Sequence, residues 1–137
     1  MRSVNTPVTV EWEDCDPFGI VFYPNFFNYF DRGTWNIYYA KGLTRDIMRD
    51  EHGGTFPAAD AQATFFYPCR FKDELVLVST LAEIQKKNII ITHVIHSGDQ
   101  IAVTGREVRF WGIPHPTNPK RIKAAPIPQA VIDVLQG

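Results

Sequence analysis

The sequence predicts an α+β domain in which an antiparallel sheet packs on one long helix. Three observations carry that prediction. Between Pro24 and about Lys41 apolar residues recur at steps of three and four, the period of a helix. The runs Thr55–Phe66, Asp73–Gln85, Asn88–His96 and Gln100–Gly112 are rich in β-forming residues and are separated by turn residues. One strand, one long helix and then four strands at hairpin spacing is the order of an antiparallel sheet rather than of alternating βαβ units. With 137 residues, 45% of them hydrophobic, and no linker, repeat or low-complexity tract, the chain reads as one domain over residues 1–137.

Asn5–Trp12 opens the chain as a strand, with Val8, Val10 and Trp12 alternating onto one face. The polar segment Glu13-Asp14-Cys15-Asp16-Pro17-Phe18-Gly19 follows as a loop, with turn chemistry at Pro17 and Gly19. Pro24 suits the first position of the long helix, where its missing N–H costs nothing. Phe26, Phe30, Gly33, Ile37 and Ala40 then fall on one stripe, and Phe27, Trp35, Tyr38 and Tyr39 widen the apolar surface well beyond it. A helix apolar over most of its circumference needs a curved sheet wrapped around it or a partner subunit covering it. Gly33 in mid-helix costs roughly 1 kcal/mol against Ala, which points to close approach by another backbone. Gly42 reads as the C-cap, and a short helix at Thr44–Glu51 ends at His52-Gly53-Gly54. Ser97-Gly98-Asp99 gives the clearest hairpin signal, between Ile89–His96 and Gln100–Val108. The stretch Pro114–Pro128 holds five of the ten prolines, and a last short helix is predicted at about Pro128–Leu135.

Composition narrows the function classes. Fourteen basic against fifteen acidic side chains leave a net charge of −1, without the long-range field of a nucleic-acid binder. No apolar run approaches the ~20 residues that cross a bilayer, so no membrane partner is expected. Met1–Pro7 lacks the apolar segment of a secretory signal. Two cysteines, Cys15 and Cys69, are too few for a disulfide framework, so a cytoplasmic location is the expectation.

The densest chemical signal is Glu13–Asn25, where acidic residues feed directly into the start of the long helix. A helix N-terminus carries free N–H groups and partial positive charge, which can polarise a carbonyl and stabilise an oxyanion. Pro24 has no N–H, so the expected donor is the Tyr23 amide, with Asn25 and Phe26 behind it. A nearby carboxylate can attack that carbonyl or activate a water. The bland reading makes the same acids turn residues and helix-entry charges.

The residues Asp14-Cys15-Asp16-Pro17-x-Gly19-Ile20-Val21-x-Tyr23-Pro24-Asn25, followed by Phe30-Asp31, resemble the signature of the 4-hydroxybenzoyl-CoA thioesterases of the hot dog fold. They are also similar to Tol-Pal-associated acyl-CoA thioesterases, which commonly carry a histidine where this chain has Tyr23, so the former branch fits better. The motif covers Glu13–Asp31, and the strand order extends the likeness to about residue 112. The resemblance implies a hot dog domain over 1–137, its antiparallel sheet wrapped around one long central helix, in a homodimer or homotetramer. It implies hydrolysis of an acyl-CoA, hydroxybenzoyl-like groups included, to free acid and CoA with no metal or other cofactor. It assigns Asp16 as the nucleophile or general base and the Tyr23 backbone N–H as the oxyanion donor. A basic run before the hairpin strand faces the CoA nucleotide in that branch; here it corresponds to Gln85-Lys86-Lys87-Asn88, with one fewer basic residue.

Other groups enter as weaker candidates. Cys15 lies between two acids that raise a thiol pKa and has no histidine near it in sequence, so a plain small residue is the better reading. His93 and His96 differ by an odd number on a strand and point to opposite faces, which argues against a metal pair. Lys120-Arg121-x-Lys123 is a second basic cluster that can serve phosphate. Asp31 either faces the acyl pocket or anchors the helix. Phe22, Phe26, Phe27 and Trp12 are core or interface aromatics of which Phe22 and Phe26 are candidates to line an acyl slot. The alternative function is a non-catalytic dimeric module that binds acyl-CoA or an acyl carrier. A hydratase on acyl thioesters would need a histidine with an acid at the helix entry, and no histidine precedes His52.

Overall fold

The computed structural model describes residues 2–137. Five strands form one antiparallel sheet: β1 (Ser3–Thr9), β2 (Ala58–Phe65), β3 (Glu74–Ile84), β4 (Asn88–Ser97) and β5 (Gln100–Phe110), in the order β1-β3-β4-β5-β2. The long helix α1 (Pro24–Ala40) lies across its concave face. Short helices α2 (Arg45–His52) and α3 (Gln129–Gln136) close the far end. The architecture is that of the hot dog fold, and the predicted element order holds.

The inward positions of the sheet alternate as a half-buried strand requires: Leu75, Leu77, Ser79 and Leu81 on β3, and Ile89, Ile91, His93 and Ile95 on β4. Helix α1 buries Phe26, Tyr29, Phe30, Gly33, Thr34, Ile37 and Tyr38 against them. Two apolar clusters result. One surrounds Phe26, Tyr29 and Phe30 near the helix start, and the other surrounds Ile37, Tyr38 and Trp111 near its end.

Several expectations need correction. Trp12 does not continue the β1 face. The Glu11 amide donates to Asp14 Oδ2 at 3.1 Å, the chain turns into a 3-10 turn at Trp12–Asp14, and Trp12 is left 60% exposed, edge-on to Phe71. Ala40 is exposed as the last residue of α1, although Ile37 and Tyr38 in the same turn are buried. The close approach at Gly33 is by side chains rather than backbone: a Cβ there would strike Ser79 Oγ and lie 2.7 Å from Leu77 Cδ2. Gly42 stands one position past the C-cap Lys41, with φ +75°. The proline-rich tail contains a small hairpin, β6 (Gly112–Pro114) with β7 (Ile122–Ala124), that was not read from the sequence. The apolar surplus of α1 is smaller than predicted, since Phe56 stacks on Tyr38 and packs edge-on to Trp111 to cover it.

Candidate active site

The acidic loop is a β-hairpin. Cys15 pairs with Val21, the Phe22 amide donates to the Asp14 carbonyl at 2.9 Å, and the Asp16 amide donates to the Ile20 carbonyl at 2.9 Å. The tip is the turn Asp16-Pro17-Phe18-Gly19, closed by Gly19 N–H to the Asp16 carbonyl at 2.9 Å, with Gly19 at φ +78°, a left-handed conformation that favours glycine. Its return strand is held on the other side by Cys69, whose carbonyl accepts from the Val21 amide at 2.8 Å. That strand runs directly into Tyr23 and the first turn of α1.

Asp16 therefore sits at the start of a rigid turn. Its Oδ1 accepts the Phe18 amide at 2.8 Å, and its Oδ2 has no hydrogen bond among the described residues. At the helix start, the Asn25 and Phe26 amides are both taken, by the Phe22 and Tyr23 carbonyls at 2.9 and 3.2 Å. The two donors expected behind Tyr23 are thus committed within the chain. The Tyr23 amide has no acceptor among the described residues and is the free donor at this helix end. In the hairpin register Asp16 lies opposite Ile20, so Tyr23 is three positions further along, on the order of 10 Å at a strand rise of ~3.3 Å per residue.

Beside them opens an apolar cleft of about 320 Å³, lined by Ile20, Val21, Tyr23, Phe26 and the segment Phe65-Phe66-Tyr67-Pro68-Cys69. Phe26 lines it while also serving the core, and its ring lies 5.5 Å from that of Phe65. Phe22 does not line the cleft; it is exposed and packs edge-on to Tyr23. Phe65, Phe66 and Tyr67 were missed by the sequence reading, although three consecutive aromatics before a proline were a signal for them. Burial first, then the carboxylates of Asp14, Asp16 and Asp73, raise the Cys15 thiol, and burial pushes the Cys69 thiol up to about 11. Neither is a nucleophile in this setting.

The remaining residues lie elsewhere. Asp31 accepts Arg109 Nη2 at 2.8 Å and so anchors α1 to β5. Lys86 and Lys87 are exposed at the β3–β4 turn, at the opposite end of the fold from Tyr23. Their carbonyls accept from Ile127 and Trp111, which fixes that turn beside the tail segment following β7. His93 is buried, stacked on Phe30 at 4.6 Å, and bonded to Ser79 Oγ at 2.8 Å and Glu107 Oε1 at 2.9 Å, whereas His96 is on the other face. No group of three or more potential metal ligands gathers among the described residues.

The sequence profile of the thioesterase-like superfamily matches residues 10–135. The chain belongs to this superfamily. The 4-hydroxybenzoyl-CoA thioesterase of Pseudomonas sp. (strain CBS-3) is 25% identical over 141 residues, covering 97% of each chain. The solved structure of that enzyme superposes with a TM-score of 0.87 over 98% of this chain and 99% of its own, at 26% identity. A mutant 4-hydroxybenzoyl CoA thioesterase crystallised with 4-hydroxybenzoyl CoA gives a TM-score of 0.89 over the same shares, at 23% identity. A 1,4-dihydroxy-2-naphthoyl-CoA thioesterase from Synechocystis gives 0.83 over 98% and 96% at 18% identity, a likeness of fold. The superfamily thus covers the hairpin, the helix start and the cleft together.

Proposed function

We propose that this thioesterase-superfamily chain hydrolyses acyl-CoA esters, with aromatic acyl groups preferred, to the free acid and CoA. The observation that carries the reading is that Asp16, with one uncommitted carboxylate oxygen, and Tyr23, with a free helix-start amide, lie on one short hairpin that leads into α1 beside the apolar cleft. The Tyr23 N–H donates to the carbonyl oxygen and stabilises the charge that grows there on attack. Asp16 either attacks the carbonyl carbon, forming a mixed anhydride and expelling CoA thiolate, or takes a proton from the water that attacks. Neither route draws on a cofactor. The aromatic cleft supports an aryl acyl group, because ring edges and faces of Phe26, Phe65 and Tyr67 offer offset and edge-to-face packing. The similarity to thioesterases named for hydroxybenzoyl and dihydroxynaphthoyl substrates supports the same class.

The working unit in this proposal is a homodimer, with a homotetramer as the higher assembly. Strand β2 supports it: it is a sheet edge whose residues are almost all exposed, with neither proline nor lysine to guard it. The exposed rings of Phe22, Tyr23, Phe65, Phe66 and Tyr67 lie at one end of that edge. A role for the lysines would fit the same reading. From the Gly33–Ser79 contact, Tyr23 lies roughly 15 Å away along the helix, and Lys86 roughly 23 Å the other way along β3. In this proposal Lys86 and Lys87, too far from Tyr23 of their own copy, serve the nucleotide phosphates of a ligand bound at another copy's Tyr23. In the same proposal Asp31, which lies outside the cleft of its own copy and is half exposed beside Arg109, offers a carboxylate oxygen to a polar substituent on an acyl ring bound at another copy.

Measuring free thiol released from a panel of aromatic and aliphatic acyl-CoAs tests the reading. It expects turnover, fastest with aryl groups. Tight binding without thiol release would instead mark a non-catalytic acyl-CoA module.

A further inference from the structure

The hairpin bearing Asp16 and the helix bearing the Tyr23 amide are separate elements, so something must hold their relative position. Asp14 accepts four hydrogen bonds, two of which, from Asn25 and Tyr29, tie the hairpin to the helix. Its carbonyl accepts the Phe22 amide and Asn25 Nδ2, each at 2.9 Å. Its Oδ2 accepts the Glu11 amide at 3.1 Å and the Tyr29 hydroxyl at 2.9 Å. Asn25 and Tyr29 sit one turn apart on α1, both facing the base of the hairpin, and Tyr29 is fully buried. The Phe22 amide is the one immediately before Tyr23, and Asp14 is two residues before Asp16. The carbonyl of one residue thus receives both the backbone that leads into the oxyanion donor and the side chain that follows it.

We propose that Asn25 and Tyr29 are positioning residues, which through Asp14 set the distance between the Asp16 carboxylate and the Tyr23 amide. The inference rests on the proposed roles of Asp16 and Tyr23. Neither Asn25 nor Tyr29 touches substrate in this account. Loss of either tie lets the hairpin slide against the helix start, and a displacement near 1 Å is enough to cost on the order of 100-fold in rate. Binding of the acyl group in the cleft and of the nucleotide elsewhere is left in place.

The test is a kinetic cycle on the full-length enzyme with Asn25→Ala, Tyr29→Phe and Asp16→Asn. Asn25→Ala is expected to lower kcat by about 10- to 100-fold with KM changed less than about twofold. In the Asp16→Asn background the same change is expected to lower the residual rate by less than about threefold, because the spacing it protects no longer matters. A purely structural role would lower the rate equally in both backgrounds, and that result overturns the inference. Tyr29→Phe removes one hydroxyl from an otherwise unchanged ring and carries the same test if Asn25→Ala does not fold. Asp16→Asn with near wild-type turnover would instead defeat the underlying mechanism, which keeps the two failures apart.

Discussion

Arg109 donates to Asp31 Oδ1 at 2.8 Å across the gap between β5 and α1, and the same Nη2 donates to Glu107 Oε2 at 2.9 Å. Glu107 also accepts from Thr34 and bonds His93, which in turn meets Ser79. Arg109 Nη1 reaches the Phe56 carbonyl at 3.2 Å. A polar chain therefore crosses the middle of the core, from the solvent side of α1 to the centre of the sheet. It fixes the helix at mid-length, while Asp14 fixes it at the start. Breaking one member leaves a buried charge or donor without a partner, which is costly.

The acid dependence of stability follows from Glu107. Burial alone would raise its carboxyl, but hydrogen bonds from His93 and Arg109, the Arg109 charge and the Thr34 hydroxyl outweigh that and hold it at about 2. A folded-state pKa below the ordinary value of 4.5 means stability that is present above about pH 4.5 and lost as the pH falls toward 2. The difference corresponds to about 3 kcal/mol. Urea melts of the native protein and Glu107→Gln should differ by about that much at pH 7 and converge toward pH 2. A gap independent of pH would contradict the assignment.

Gly105 lies against Phe30, whose ring also stacks on His93, the cross-strand neighbour of Gly105. A Cβ at Gly105 would overlap the Phe30 ring at two atoms and stand 3.0 Å from a third. Gly105→Ala should therefore destabilise by about 1–3 kcal/mol, the usual cost of overpacking a core. Gly19→Ala meets nothing within 4 Å and is strained only through its φ of +78°. Thermal melts of the two variants should rank Gly105→Ala as the more damaging.

The helix and the strands were legible because periodicity and turn residues report directly on which face is buried, while the hot dog architecture came from the resemblance of the Asp14–Asp31 motif. The acidic motif stood out in the sequence because Asp16 and Tyr23 share one local segment. The aromatic wall at Phe65–Tyr67 was not, since the β2–β5 pairing that brings it to Tyr23 is long-range. The Asp31–Arg109 pair joins residues 78 apart in sequence and left no local trace for the same reason. Trp12 misled because alternation continues through Val10 while the Glu11–Asp14 bond turns the chain.

Assembly should be obligatory for activity. Size-exclusion chromatography with light scattering at low concentration is expected to show dimers or tetramers and no stable monomer. A folded, active monomer would contradict the proposed site shared between copies.

Lys86 and Lys87 should act on binding alone. The double change Lys86→Ala, Lys87→Ala is expected to raise KM more than it lowers kcat, because remote phosphate contacts act alike in ground and transition states. An unchanged KM would return the pair to ordinary surface charge.

The most direct test of the mechanism is the steady-state rate of Asp16→Asn. The amide keeps the shape of the side chain and the acceptor that holds the Phe18 amide, while removing the carboxylate that attacks or activates water. The account predicts a fall in kcat of at least about 100- to 10,000-fold with KM little changed. Tyr23→Phe, which leaves the backbone donor intact, should be mild by comparison. Asp16→Asn turning over at close to the native rate would contradict the central claim and move the search to Asp14 and Asp31.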